Sequence, residues 1–228
     1  MAPPSAPEHK AAAATSGRRR AVLRFIGAVL ATSGVLLLAD VGLTLLWQEP
    51  VSAVFASRAQ DSLAQELDVE EQRQEPATGR PALSRAARRY AARLRRGDAF
   101  GRVALPTLRQ SYVVAEGTDD ETLRGGPGHY EGTGVPGQRR TVALAGHRTT
   151  YLAPFADVDE LKPGDPIVVT MPYGRFTYRV ERTRIVDPSA YWVTQKGQNR
   201  LVLTSCHPPF SAAQRIVLIA RLVSPGIS

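Results

Sequence analysis

A long apolar run near the N-terminus, Phe25 to Trp47, places the strongest constraint on how this chain can fold. Its length meets the roughly 20 residues that a helix needs to cross the hydrocarbon core of a bilayer. The run is interrupted only by Thr32, Ser33, Asp40 and Thr44. Asp40 lies toward the far end, where its carboxylate could reach the membrane interface. The sequence therefore predicts a membrane span, with the rest of the chain folding to one side of it.

Charge and aromatic residues around the span predict its orientation. Four arginines precede it, namely Arg18, Arg19, Arg20 and Arg24, and Trp47 at its end is typical of an interfacial anchor. The positive-inside rule then places the N-terminus in the cytoplasm and everything after Trp47 outside the membrane. A cleaved signal peptide is the alternative, with small residues around Ala56 as a cleavage site. The run is longer than the usual signal core of about 7–15 residues, which favours an uncleaved anchor.

The segments that flank the span differ in composition. Residues 1–20 are basic and rich in alanine and proline, and they are predicted to form a disordered cytoplasmic tail ahead of a helix over 21–47. Residues 48–97 are predicted to form an extracytoplasmic stalk or linker. Within this stalk, a helix over 51–75 ends at a proline- and glycine-containing break. A short basic helix over 83–96 follows, which could cover the domain, lie against anionic lipid or be solvated on all sides.

The net charge of +8 and the pI of about 10.1 raise the question of nucleic acid binding. Much of the positive excess lies beside the apolar run, and no nucleic-acid motif or pattern of alternating basic and aromatic residues is found. A basic stretch next to a membrane is the better interpretation. We expect the membrane, and no nucleic acid, as a partner.

From residue 98 to 228 the pattern is that of an all-β domain. Short runs of β-branched and aromatic residues alternate with glycine and proline, and they predict strands over 101–105, 111–115, 141–145, 166–170, 175–186, 201–205 and 216–222. Short helices are predicted near 119–124 and 151–161. Seven or eight strands in a domain of this size suggest a small closed barrel, although the pattern alone does not separate a barrel from a sandwich.

The only cysteine of the chain, Cys206, follows the predicted strand 201–205. A lone cysteine in an exported domain has no disulfide partner in its own chain, and it is either a small buried hydrophobic residue or a reactive thiol. Arg215 begins the next strand, and an antiparallel pairing would place its guanidinium beside Cys206. There it could stabilise a thiolate or an oxyanion. Together with a histidine, these residues are sufficient for acyl transfer.

The chain has four histidines, and their positions rank them as partners of Cys206. His9 lies in the predicted cytoplasmic tail. His207 is adjacent to Cys206, so a continuing strand would point the two side chains to opposite faces. His129 lies in a turn, where a structural hydrogen bond is the expected role. His147 ends an apolar strand before polar residues, and it is the best candidate for a general acid.

The sequence predicts no metal or organic cofactor. One cysteine and scattered histidines do not have the spacing of a zinc site. The glycine-rich stretch at 125–128 is typical of a turn and lacks a phosphate-binding pattern.

Several motifs in order along the chain resemble the sortase family, the membrane-anchored cysteine transpeptidases of Gram-positive bacteria. They are Val-Ala-Leu-Pro-Thr-Leu at 103–108, Gly-Pro-Gly-His-Tyr at 126–130, Ala-Gly-His-Arg at 145–148 and Leu-Thr-Ser-Cys at 203–206, with Arg215 after them. Three further stretches resemble class E, the housekeeping sortases of high-GC actinobacteria. These are His-Arg-Thr-Thr-Tyr-Leu-Ala-Pro-Phe at 147–155, Tyr-Trp-Val at 191–193 and Cys-His-Pro-Pro-Phe-Ser-Ala-Ala-Gln-Arg at 206–215.

The resemblance implies a closed sortase barrel of about eight strands and a catalytic set of Cys206, His147 and Arg215. It also implies substrate contacts by Tyr112, Ser205 and Thr204. Tyr112 matches a tyrosine that class E uses near the second residue of the sorting signal. Ser205 stands where the family usually has threonine, and its hydroxyl could reach the oxyanion or Arg215.

The implied function is cleavage of a sorting signal, Leu-Ala-X-Thr-Gly in preference to Leu-Pro-X-Thr-Gly, between threonine and glycine. The acyl group then passes to an amine of a lipid-linked peptidoglycan precursor. The implied partners are therefore secreted proteins that carry the signal, the precursor and the membrane. A pilin-polymerising sortase and a non-catalytic surface scaffold are the alternatives.

Overall fold

A computed structural model describes residues 9–47, 50–74, 77, 79–190 and 197–226. The chain divides into two compact units, Met1–Trp47 and Gln48–Ser228. The stretch Tyr-Trp-Val at 191–193, which resembles class E, lies outside the described residues.

The first unit contains one long helix, α1, from His9 to Trp47. Its segment Arg20–Leu43 reaches a mean hydropathy of 2.1 with none of that stretch buried, so by length and composition it is sufficient to cross a membrane. Within it, the Thr32 hydroxyl donates to the Ala28 carbonyl oxygen at 2.9 Å, which satisfies a polar group in apolar surroundings. The helix starts well before the predicted span. Residues 9–20, predicted to be disordered, are therefore helical, and the alanines at 11–14 favour this conformation.

The second unit begins with two helices, α2 from Pro50 to Arg73 and α3 from Arg80 to Ala91. Both correspond to predicted helices, but they belong to the same compact unit as the β-domain and do not form a separate stalk. Leu67 of α2 is fully buried against Ala99 and Val113. The basic helix α3 covers the domain through Leu83, Ala86, Ala87 and Tyr90, which are buried, while its arginines are exposed.

The Gln60 side chain connects α2 to three main-chain groups of the β-domain. The Gln60 amide oxygen accepts from the Val113 N–H at 2.8 Å, and its amide nitrogen donates to the carbonyl oxygens of Val113 at 2.9 Å and of Gly125 at 2.8 Å. The side chain thus occupies the place of a neighbouring strand beside Val113. It satisfies three main-chain groups that would otherwise lose their partners.

We expect Gln60→Leu to lower the free energy of unfolding by about 2–4 kcal/mol, because it leaves these three main-chain groups unsatisfied. Gln65→Leu, at an exposed position of the same helix, is the matched control and should change it by less than about 0.5 kcal/mol. Denaturant unfolding of the detergent-solubilised chain, followed by circular dichroism, measures both. Equal effects of the two substitutions would show that the Gln60 contacts do not stabilise the unit.

Eight strands in the described residues close into a barrel in the order β1-β2-β3-β4-β7-β8-β6-β5. The predicted fold class, an all-β barrel with short helices, is confirmed, and a sandwich is excluded. The strands are β1 Ala99–Leu105, β2 Gln110–Glu116, β3 Gly128–His129, β4 Thr141–Ala145, β5 Pro166–Met171, β6 Gly174–Val186, β7 Arg200–His207 and β8 Gln214–Gly226. A short helix, α4, spans Asp120–Arg124 as predicted.

The segment 151–161 differs from the prediction of a short helix. Tyr151, Leu152 and Ala153 have positive φ angles of 51°, 65° and 40°, which are incompatible with a right-handed helix. Only Val158–Glu160 forms a single 3₁₀ turn. This backbone path buries Phe155 completely in the barrel core, which an amphipathic helix along the same residues would not require.

The wall of the barrel carries apolar residues on both faces. Inward-facing residues such as Leu144, Leu203 and Leu218 belong to the main core. A second, smaller cluster on the outer face consists of Ala143, Val202, Val217 and Ile219, with Tyr130 and Val186 packed against it. These outward-facing residues of β4, β7 and β8 are therefore buried. The candidate site lies on the same side of the barrel wall.

Candidate active site

Strand register brings the three predicted catalytic residues together. β4 and β7 are parallel with Ala145 opposite Thr204, so two residues further along His147 and Cys206 are at the same level. β7 and β8 are antiparallel with Cys206 directly opposite Arg215. His147, Cys206 and Arg215 thus follow one another across three adjacent chain segments at one end of the sheet.

The site lies on the outer face of the barrel wall. Side chains alternate along a strand, so Cys206 points to the same side as Thr204 and Val202, and Arg215 points to the same side as Val217. Val202 and Val217 belong to the outer cluster. This position is consistent with the predicted site at a strand end. The sequence of one strand does not show which of its faces points out of the barrel, so the outward direction of Cys206 and Arg215 was not predicted.

These residues line a cleft with a volume of about 390 Å³. Thr118 and α4 form one part of the lining, and the end of β6 with the residues after it forms another. The lining residues are Thr118, Asp120, Leu123, Tyr130, Ala145, Gly146, His147, Val186, Asp187, Pro188, Ala190, Thr204, Ser205, Cys206, Arg215 and Val217. A cleft with apolar walls and a few convergent polar groups is the form expected of a binding site for a peptide-sized ligand.

The His147 ring is half-buried and lies 5.1 Å from the Tyr151 ring, measured between centroids. Burial lowers the pKa of His147 below its usual 6.5, because desolvation disfavours the imidazolium. The Asp120 carboxylate on α4 partly opposes this lowering. Gly146, the residue before His147, has to be small, since a Cβ at this position would lie 2.6 Å from Cδ2 of the buried Phe155.

We expect Asp120→Asn to lower the pKa of His147 further, because it removes the carboxylate that opposes desolvation. An NMR titration of the His147 ring proton measures the shift. Glu121→Gln, at the next and likewise exposed position of α4, is the control and should leave the titration close to wild type. An unchanged midpoint in the Asp120 variant, or an equal shift in both, would contradict the role assigned to Asp120.

Cys206 is half-buried and is the free thiol of the chain. Beside it, Nη1 of Arg215 donates to the carbonyl oxygens of Ala212 and Gln214, each at 3.1 Å. Within the described residues Arg215 has no carboxylate partner, so its positive charge is not neutralised by an ion pair. An arginine that is paired with a cysteine in the same cleft is suited to stabilise negative charge that develops there.

The structure places the three predicted substrate-binding residues in different surroundings. Thr204 lies in the cleft, where its Oγ1 is 3.0 Å from the Tyr130 hydroxyl. The Ser205 hydroxyl does not reach Arg215. It donates to the Gly146 carbonyl oxygen at 2.7 Å on the buried side of the strand. Tyr112 lies on β2 outside the cleft lining and packs against the main core. Burial raises the pKa of Tyr112, with a further rise caused by Asp157.

The other two histidines of the second unit, His129 and His207, do not line the cleft. His129 is buried, with Nδ1 at 2.6 Å from Glu116 Oε2 and its ring stacked on Phe100, so its role is structural. His207 is directed away from Cys206, and its Nδ1 lies 2.9 Å from Nη1 of Arg148. In the described residues no group of three or more histidine, cysteine, aspartate or glutamate side chains could hold a metal ion.

Three residues of the site were not identified from the sequence. Asp120 and Tyr130 are distant in the chain from Cys206, and nothing in their local pattern indicated a shared cleft. Arg148 was visible only as the residue after His147, and its contact with His207 depends on the parallel pairing of β4 with β7. That pairing could not be read from the strand pattern.

Comparison with known proteins identifies a family. The model of the sortase domain matches residues 103–223, which is more than half of the chain. Sortase D of Bacillus subtilis is 34% identical over 114 residues, covering 49% of this chain and 56% of that protein. Sortase SrtE1 of Streptomyces coelicolor is 28% identical over 217 residues, covering 88% of this chain and 57% of that protein. The chain thus matches little more than half the length of these curated relatives.

A solved structure shows the same relationship. The crystal structure of sortase E1 from Streptomyces coelicolor, determined with a tripeptide in its active site, superposes with a TM-score of 0.55 at 30% identity. The superposition covers 57% of this chain and 91% of that one.

Proposed function

This chain belongs to the sortase family and is similar in sequence and structure to class E sortases. We propose that it is a membrane-anchored cysteine transpeptidase that joins secreted proteins to the cell wall. One observation carries the proposal. The register of β4, β7 and β8 places a histidine, a cysteine and an arginine at one level of a single cleft. This arrangement supplies a nucleophile, a general acid and an oxyanion partner.

In the first half of the reaction, the Cys206 thiolate attacks the threonine carbonyl carbon of the peptide bond between threonine and glycine in a sorting signal. Arg215 stabilises the oxyanion that forms, since it is paired with Cys206 across β7 and β8 and both residues line the cleft. His147 gives its proton to the departing glycine amine as the C–N bond breaks. A thioester between Cys206 and the threonine acyl group remains.

In the second half, an amine of a lipid-linked peptidoglycan precursor attacks the thioester. His147 takes the proton from this amine, and the Cys206 thiolate leaves. The product is an amide between threonine and the precursor, and the enzyme returns to its starting state. His147 is neutral at this stage because it gave its proton to the glycine amine, and the burial that lowers its pKa favours this neutral form.

The substrate proposal is a Leu-Ala-X-Thr-Gly signal in preference to Leu-Pro-X-Thr-Gly, from the similarity to sortases E. The cleft floor around Thr204 and Tyr130 is the surface available to residues next to the scissile bond. Tyr112 lies outside the cleft lining, so its proposed contact is with a residue earlier in the signal and not with the bond that is cleaved.

The proposed location is the cell membrane, with α1 as a single span, the N-terminus in the cytoplasm and the barrel outside. The apolar segment Arg20–Leu43 supports an anchor, and the arginines before it support the orientation. An anchored enzyme shares its surface with a lipid-linked acceptor and with substrates still held in the membrane. This raises the effective concentration of all three.

The proposal is tested with the full-length chain in detergent, the two peptides and an amine acceptor, with products identified by mass spectrometry. Cys206-dependent cleavage after threonine, with joining to the amine, is the expected result, and the alanine peptide should react faster. Efficient joining only to a lysine side chain of a protein would instead indicate a pilin-polymerising enzyme. Absence of any cleavage by the folded chain would indicate a non-catalytic scaffold.

A further inference from the structure

The two chain segments that carry His147 and Cys206 extend past the end of the regular pairing between β4 and β7. The β4–β7 ladder ends with Ala145 opposite Thr204. In the described residues the last main-chain hydrogen bond between the segments runs from the Gly146 N–H to the Thr204 carbonyl oxygen at 3.1 Å. Main-chain pairing therefore stops just before the reacting side chains, and other contacts have to fix their separation.

Two side-chain contacts bracket the catalytic pair. On one side of it, the Ser205 hydroxyl donates to the Gly146 carbonyl oxygen at 2.7 Å. On the other side, Nη1 of Arg148 donates to Nδ1 of His207 at 2.9 Å. The residues just before and just after His147 and Cys206 are thus bonded to each other, in register with the parallel ladder.

The Arg148 guanidinium is held on all sides. Its side chain is 4% exposed, Nη2 lies 2.7 Å from Oδ2 of Asp159, and Nε donates to the Ala156 carbonyl oxygen at 3.2 Å. Arginine has no acceptor atom, so Nδ1 of His207 has to accept and the ring proton has to be on Nε2. The contact is therefore between a fixed cation and a neutral imidazole in one tautomer.

We propose that Arg148 and His207 are positioning residues that set the separation between His147 and Cys206. The proposal rests on the proposed function. Side chains alternate along a strand, and His207 contacts the buried Arg148 instead of lining the cleft, so neither residue needs to touch substrate. A shift of about 1 Å between reacting groups can cost about 10²-fold in rate, which is the scale of effect expected from losing this contact.

Substitutions at His207 separate positioning from chemistry. His207→Ala removes the acceptor, whereas His207→Asn retains an acceptor oxygen near the position of Nδ1 without an ionisable ring. We expect His207→Ala and Arg148→Met each to lower kcat by about 30–100-fold, with KM for the peptide changed by less than about threefold. His207→Asn should stay within about fivefold of wild type, and the Arg148→Met/His207→Ala double variant should be no slower than either single variant.

Alkylation of Cys206 by iodoacetamide gives a second readout that needs no substrate, because the chain contains no other cysteine. We expect the pH dependence of the alkylation rate to change in His207→Ala and Arg148→Met and to remain that of wild type in His207→Asn. Circular dichroism confirms that each variant is folded. If Arg148→Met does not fold, the comparison of alanine with asparagine at the half-buried His207 decides the question.

The outcomes separate this proposal from the proposed function. Wild-type protein without Cys206-dependent joining would refute the proposed function, while the alkylation profiles would still test the contact. Wild-type kcat and alkylation in His207→Ala would overturn the positioning role. So would additive losses in the double variant. A His207→Asn variant as slow as His207→Ala would assign the imidazole its own chemical role and would likewise overturn it.

Discussion

Replacement of Cys206 by alanine is expected to abolish joining of the sorting-signal peptide to the amine, with a loss of at least about 10⁴-fold in kcat/KM. The chain has no second thiol that could replace it. Cys206 is half-buried, so alanine leaves a small space but no buried polar group without a partner, and the fold should persist. Initial rates with the detergent-solubilised chain, together with a thermal unfolding curve, measure both effects.

Cys206→Ser is the informative companion to the alanine variant. Serine keeps a similar shape, but its hydroxyl is far less nucleophilic than a thiol and has no strong general base beside it other than His147. It should therefore be almost as inactive as alanine, with wild-type stability. Substantial turnover by either variant would mean that Cys206 is not the nucleophile.

Replacement of Arg215 is expected to have the second largest effect. Arg215→Ala should lower kcat by about 10²–10³-fold with a smaller change in KM, because it removes a donor aimed at charge that develops in the transition state. Arg215→Lys should recover only part of this loss. Lysine keeps the charge but has one nitrogen, whereas Arg215 bonds to the Ala212 and Gln214 carbonyl oxygens through Nη1 and has Nε and Nη2 as further donors.

Arg182→Lys and Arg182→Ala are the matched controls for Arg215. Arg182 is exposed on β6, away from the cleft lining, so both changes should leave kcat within about twofold of wild type. Comparable losses at the two positions would indicate a general effect of net charge. Full activity of Arg215→Lys would show that charge alone is needed, without the geometry of the guanidinium.

Much of the fold follows from local patterns in the sequence. Alternation and turn residues located seven of the strands, because each strand has one face or both faces in an apolar core. The missed strand, β3, has only two residues, Gly128 and His129, which is too short to show alternation. Closure into a barrel depends on which strands pair, and the parallel contact of β4 with β7 joins segments far apart in the chain.

The proposed catalytic residues were more predictable from the sequence than the residues around them. His147, Cys206 and Arg215 stand at strand ends, and their chemistry is specific enough to single them out. The Ser205 hydroxyl bonds to Gly146 because its position on the strand directs it to the inner face, and that direction depends on the face to which Cys206 points. The packing of α2 on the barrel through Gln60 depends on main-chain groups of Val113 left open by sheet pairing, which a sequence pattern does not show.

The most direct test of the central claim is to trap the acyl-enzyme. The full-length chain is mixed with a Leu-Ala-X-Thr-Gly peptide without an acceptor amine, quenched in acid and examined by intact-protein mass spectrometry and peptide mapping. We predict a mass increase equal to the signal fragment ending in threonine, located on Cys206 and discharged by hydroxylamine. Cleavage of the peptide with no adduct on Cys206, or with an adduct on another residue, would contradict a thioester mechanism at this site.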